Sequence, residues 1–125
     1  VTRGKILSID DEATVTQAVR RLLAGRYDVT GIDDGRLAYD LLLTGARFDV
    51  ILCDVLMPML NGMRFYEKVS ALAPQQAARI VFLTGATAQG DVRAFLDRIP
   101  NRRLEKPFPP RDLEALIDEL VPLLH

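Results

Sequence analysis

The sequence predicts an α/β fold in which a mostly parallel five-stranded sheet is covered by helices on both faces. Three observations predict it. Five short apolar runs alternate strictly with longer amphipathic stretches, the pattern of repeated β–α units. The runs are nearly continuous rather than alternating, as strands buried on both faces require. Four of the five runs end in acids, a hydroxyl or an ammonium, which delivers polar chemistry to one edge of the sheet.

The first strand is predicted over Lys5–Ile9 ("KILSI"). From Glu12, the residues Val15, Ala18, Val19, Leu22 and Leu23 recur at helical spacing, and Gly25 stops the helix. Tyr27–Ile32 ("YDVTGI") alternates like a second strand. Asp34-Gly35 marks a turn, and Leu37, Leu41 and Leu42 give a second helix ending near Gly45. Asp49–Cys53 ("DVILC") is the third strand. Asn61 caps a helix carrying Met63, Phe65, Tyr66, Val69 and Leu72, which Pro74 closes. Arg79–Leu83 ("RIVFL") is the fourth strand, followed by a helix with Val92, Phe95, Leu96 and Ile99. Arg102–Glu105 is a short fifth strand, and Pro110 suits the first turn of a last helix with Leu113, Leu116, Ile117 and Leu120.

Length and charge narrow the classes. A chain of 125 residues is of single-domain size, with no repeat or long linker to divide it. The net charge of −1 and the scattered basic residues give no broad field for nucleic acid or acidic lipid. The lone cysteine, Cys53, cannot form an internal disulfide, which fits a reducing cytoplasm. No apolar stretch approaches the roughly 20 residues that span a bilayer. A start on Val1 rather than methionine fits a module cut from a longer protein.

The strand ends carry the chemistry. The first strand runs into Asp10-Asp11-Glu12, the third into Asp54, the fourth into Thr84-Gly85-Ala86 and the fifth into Lys106-Pro107. Each has a plainer reading alone: a helix cap, a loop acid, a turn, a solvated lysine. Together they place several carboxylates on one edge. Two unit charges about 4 Å apart repel by about 4 kcal/mol at an effective dielectric near 20. Lys106 offsets part of that, and a hard divalent ion, best Mg²⁺, would offset the rest. A carboxylate beside a metal, a hydroxyl and a lysine can attack phosphorus.

On the stretches "SIDDE" (Ser8–Glu12), "LCDVLMPMLNG" (Leu52–Gly62), "FLTGA" (Phe82–Ala86) and "LEKPF" (Leu104–Phe108), the chain resembles a response-regulator receiver domain over nearly its whole length. The resemblance implies one domain, residues 1–125, with a doubly wound flavodoxin-like sheet in the order 2-1-3-4-5. It makes Asp54 the phosphoryl acceptor, with Thr84 and Lys106 holding the phosphoryl oxygens. Asp11 and Asp54 would ligate Mg²⁺ directly, Asp10 chiefly through water, and the Leu56 backbone carbonyl would complete the set. The Lys106-Pro107 peptide would be cis. The donor would be a phosphohistidine on a histidine kinase or histidine phosphotransfer domain. The only histidine here, His125, reads as a tail residue. The module would signal to an output domain or protein through its fourth helix, fifth strand and fifth helix, with glycines 85 and 90 letting the Thr84–Asp91 loop move. It would be a cytoplasmic phosphoacceptor in a two-component relay, neither an enzyme itself nor a binder of nucleic acid. "MRFYEKV", "RIVFLTGAT" and "FLDRIPNRRLEKPF" resemble receivers appended to hybrid sensor histidine kinases.

Two features depart from the family's usual pattern. Many receivers carry an aromatic residue three positions before the lysine, where this chain has Arg103, which is expected to stay in solvent. Leu56 and Ala86 flank the acceptor and offer no side chain to position a hydrolytic water. The main alternative is a receiver-like scaffold that binds partners without phosphorylation. A Mg²⁺-dependent aspartyl phosphohydrolase would want a second acid at Leu56. A flavodoxin-like FMN carrier would want hydroxyls where "DDEAT" offers three carboxylates.

Overall fold

A computed structural model describes residues 4–57, 59–85 and 90–121 of the chain. Pro58, Ala86 with the interior of the Thr84–Asp91 loop, and His125 lie outside the described residues. The elements run β1 (Gly4–Ile9), α1 (Ala13–Leu23), β2 (Tyr27–Ile32), α2 (Gly35–Leu43), β3 (Val50–Asp54), α3 (Gly62–Leu72), α4 (Pro74–Ala77), β4 (Ile80–Gly85), α5 (Asp91–Arg98), β5 (Arg103–Lys106) and α6 (Pro110–Leu120). The five strands form one parallel sheet in the order β2-β1-β3-β4-β5, as expected for a flavodoxin-like, doubly wound fold.

Both sheet faces are covered. Ile6, Val50, Leu52, Val81 and Leu83 pack with Val19 and Leu23 of α1 and with Leu113, Leu116 and Ile117 of α6. Leu7, Ile9, Ile51, Cys53, Ile80 and Phe82 pack with side chains of α2, α3, α4 and α5. This double burial is why the strands read as unbroken apolar runs. Tyr66, Phe82 and Phe95 meet on the second face with ring centroids 5.5–5.9 Å apart and edge-on or tilted planes.

The strands reach further than their apolar runs. Asp54 is the last residue of β3, Gly85 of β4 and Lys106 of β5, so the polar residues belong to the ladder itself. The described residues hold six helices rather than five. Pro74 does end α3, but it also opens the four-residue α4, where a missing N–H costs nothing. Gln76 anchors that helix. Its amide oxygen accepts from the Phe48 N–H at 2.9 Å and its amide nitrogen donates to the Phe48 carbonyl at 3.0 Å, all in the interior. No helix among the described residues is long and apolar enough to cross a membrane.

One buried group is poorly served. The Ser8 hydroxyl, fully buried in the interior strand β1, has no hydrogen-bond partner among the described residues. An unpaired buried hydroxyl costs about 1–3 kcal/mol of desolvation. Ser8→Ala is therefore expected to leave stability unchanged or raise it by about 1 kcal/mol. Urea denaturation checks this through the midpoint at constant slope, and a loss above about 1 kcal/mol would contradict it.

Candidate functional site

Parallel pairing brings the carboxyl ends of four strands into line. Ile9 pairs with Cys53, so Asp10 and Asp54 follow on adjacent strands. Asp54 pairs with Leu83, one residue before Thr84, and Gly85 pairs with Lys106. The sheet edge thus gathers Asp10, Asp54, Thr84 and Lys106 from β1, β3, β4 and β5.

Lys106 is the hub. Its Nζ donates to Asp10 Oδ2 at 2.8 Å and lies 3.5 Å from both Asp54 Oδ2 and Glu12 Oε1. Asp10 is fully buried, and its other oxygen accepts from the Glu12 N–H at 2.9 Å. Burial works against the Lys106 ammonium, but the bond to Asp10 and the charges of Asp54, Asp10 and Glu12 outweigh it and raise its pKa above the usual lysine value.

Asp54 is only 7% exposed. Its pKa is pushed up from 3.8 to about 6, first by burial and then by the Asp10 charge. Lys106 and the Leu56 N–H, 3.3 Å from Asp54 Oδ1, pull the other way, and Asp11 adds a small push upward. The Asp54 carboxylate is thus short of compensating positive charge, a condition that a cation would relieve. Below it, Cys53 is buried, and burial, followed by the Asp54 and Asp10 charges, raises its thiol pKa. It is a core residue with no reactive character.

Backbone packing fixes the height of Asp54 above the sheet. Gly62 opens α3, and its N–H donates to the Val55 carbonyl at 2.8 Å. A Cβ there would stand 2.9 Å from the Asp54 carbonyl oxygen, so only glycine lets α3 seat on the end of β3. Asn61 caps the helix by accepting from the Arg64 N–H at 3.0 Å.

Of the expected site residues, Asp10, Asp54 and Lys106 meet directly. Thr84 is buried on the neighbouring strand, its hydroxyl 3.4 Å from the Gly85 carbonyl. Leu56 stands beside Asp54 through its N–H, and the residue is 60% exposed. Asp11 is exposed and outside the carboxylate group that actually gathers: Asp10, Glu12 and Asp54 bring ligand oxygens within 4.8 Å of one another. Lys106 lies at the centre of that group, within 3.5 Å of all three carboxylates. The sequence groups Glu12 with the acids at the end of the first strand and starts the helix from it, and nothing local marks its side chain as part of the site. The donor set is all oxygen, which suits a hard cation such as Mg²⁺ and not a thiophilic metal. The Lys106-Pro107 peptide is cis. Arg103 stays at the surface, its guanidinium 3.0 Å from Asp97 of α5.

The chain is similar to known proteins in sequence and in fold. The chain is 28% identical over 119 residues to a chemotaxis protein CheY homolog of Campylobacter jejuni, covering 94% of this chain and 92% of that one. It is 31% identical over 122 residues to the hydrogenase transcriptional regulatory protein HoxA of Bradyrhizobium diazoefficiens, covering 97% of this chain but 24% of the larger protein. Among solved structures, the Vibrio cholerae chemotaxis protein CheY4 superposes with a TM-score of 0.80 at 29% identity, over 95% of this chain and 99% of that one. The model of the response regulator receiver domain matches residues 6–118, nearly the whole of the described fold, and on that match the chain belongs to the response regulator receiver domains.

Proposed function

We propose that the domain accepts a phosphoryl group on Asp54 from a phosphohistidine and passes the change of charge to a partner. The observation that carries this reading is the meeting of Asp54, buried Asp10 and Lys106 at the carboxyl edge of the sheet, with an Asp54 carboxylate held in charge deficit. In the transfer, an Asp54 oxygen forms a bond to phosphorus, the phosphorus–nitrogen bond of the donor breaks, and its electron pair stays on the imidazole nitrogen. Lys106 turns from Asp10 to a phosphoryl oxygen, and the Thr84 hydroxyl donates to another. Mg²⁺ would supply the remaining positive charge and orient the phosphoryl oxygens. Asp10, Asp11 and Asp54 with the Leu56 carbonyl are the residues we assign to hold it.

The donor is a histidine kinase or a histidine phosphotransfer domain, and we assign its docking to the apolar groove of about 850 Å³ between α1 and α6. Val15, Leu22, Phe108 and Leu113 line it, and Glu12 and Lys106 border it. The receiver works in the cytoplasm, where such donors act. The sequence likeness to hybrid-kinase receivers supports a place beside a kinase core, which an in-frame kinase in the neighbouring coding sequence would establish.

The test is intact mass after incubation with Mg²⁺ and a small phosphodonor such as acetyl phosphate. The wild-type chain is expected to gain one phosphoryl group, and Asp54→Asn none. Equal gain in Asp54→Asn, or no gain in either, would favour a scaffold that binds partners without phosphorylation.

A further inference from the structure

Glu12 has a role that the acceptor reading leaves open. It occupies the N-cap position of α1, where an acid ordinarily accepts from the N–H groups of the first turn. Its side chain makes no such bond. It reaches across to β5 instead, with Oε1 3.5 Å from Lys106 Nζ, although the side chain is 60% exposed. Its own N–H is tied to Asp10, which holds the residue beside the site. An exposed glutamate turned away from its helix and toward a mostly buried ammonium follows the strongest local field rather than its cap.

Lys106 therefore answers to three carboxylates. Two of them, Asp10 and Asp54, are committed to the cation and the phosphoryl group in the proposed reaction. Glu12 is the one left with a claim on Lys106 after both are engaged. We infer that Glu12 is a positioning residue that competes with the phosphoryl group for Lys106 and so weakens the domain's hold on a phosphoryl or any tetrahedral anion at Asp54. Its carboxylate also lies within 4.8 Å of those of Asp10 and Asp54, so its charge adds to the negative field at the site. The effect acts through Lys106 and through the field, with no contact between Glu12 and the reacting atoms.

The inference rests on the acceptor reading, and the test separates the two. Beryllium fluoride, which forms a tetrahedral phosphoryl mimic on a carboxylate, is titrated by calorimetry into the chain at saturating Mg²⁺. Glu12→Gln and Glu12→Ala are expected to bind it about three- to fivefold more tightly than wild type, the size of one partly exposed ion pair. Because the effect is electrostatic at an exposed group, the gap is expected to shrink between 0.05 M and 0.5 M salt. A helix-cap role would change thermal stability instead and leave the affinity and its salt dependence alone. Unchanged or weaker binding in both variants overturns the inference. So does a more than tenfold loss of Mg²⁺ affinity in Glu12→Gln, which would make Glu12 a metal ligand. Failure of the wild-type chain itself to bind the mimic overturns the acceptor reading and the inference with it.

Discussion

Gln76→Ala is expected to destabilise the domain by about 2–4 kcal/mol, the largest loss for any single polar side chain here. The Gln76 side chain satisfies both backbone groups of Phe48 at once, and Gln76 is 4% and Phe48 8% exposed. Truncation leaves a buried N–H and a buried carbonyl unpaired, each costing about 1–3 kcal/mol. Gln76→Met keeps the volume and loses the bonds, so a similar loss in both variants assigns the effect to hydrogen bonding rather than packing. Urea midpoints at unchanged slope measure it, and a loss below about 1 kcal/mol in both variants would show that Phe48 finds other partners.

The second large effect runs the other way. In Mg²⁺-free buffer at pH 7.5, Asp54→Asn is expected to be more stable than wild type by about 1–3 kcal/mol. The sign follows from the raised pKa. Folding lifts Asp54 from 3.8 to about 6, so the folded chain binds more protons than the unfolded chain between those values. Stability is lost as pH rises through that window, and the full penalty is present above it. The advantage of Asp54→Asn should therefore vanish near pH 4. Millimolar Mg²⁺ should narrow the gap at pH 7.5, because an ion that binds only the folded wild type stabilises it. An asparagine variant less stable than wild type at pH 7.5 without the ion would show that the carboxylate is satisfied after all. The expected trade of stability for a reactive anion is common where function needs strain.

How much of this was legible in the chain differs between the frame and its joints. The strands were readable because double burial leaves Val50–Cys53 and Ile80–Leu83 with no polar interruption. Their last residues were not assigned to the ladder, since an aspartate or lysine breaks the apolar run even while its backbone keeps pairing. Helix α4 was invisible for a different reason. Pro74 is a stop signal in one direction and a start signal in the other, and four residues carry no period. What holds α4 is the Gln76 clamp on Phe48, a contact between distant parts of the chain.

The site divides in the same way. Asp10, Asp54, Thr84 and Lys106 were marked by position, because in a parallel sheet every strand end arrives at the same edge. Glu12 is hidden in the sequence because it opens a helical stretch, and nothing in its local pattern points to a partner. Its actual partner lies on β5, and only the folded chain brings Lys106 within reach. Arg103 was expected at the surface and is found there, but its pairing with Asp97 depends on where α5 comes to rest on β5.

The bare hydrogen at position 62 has a mechanical consequence. With α3 resting on the peptide of Asp54 itself, the height of that carboxylate above the sheet is set by main chain against main chain. Substitutions on the outer face of α3 are expected to leave that height unchanged, while a single methyl at the root of the helix would have to displace it.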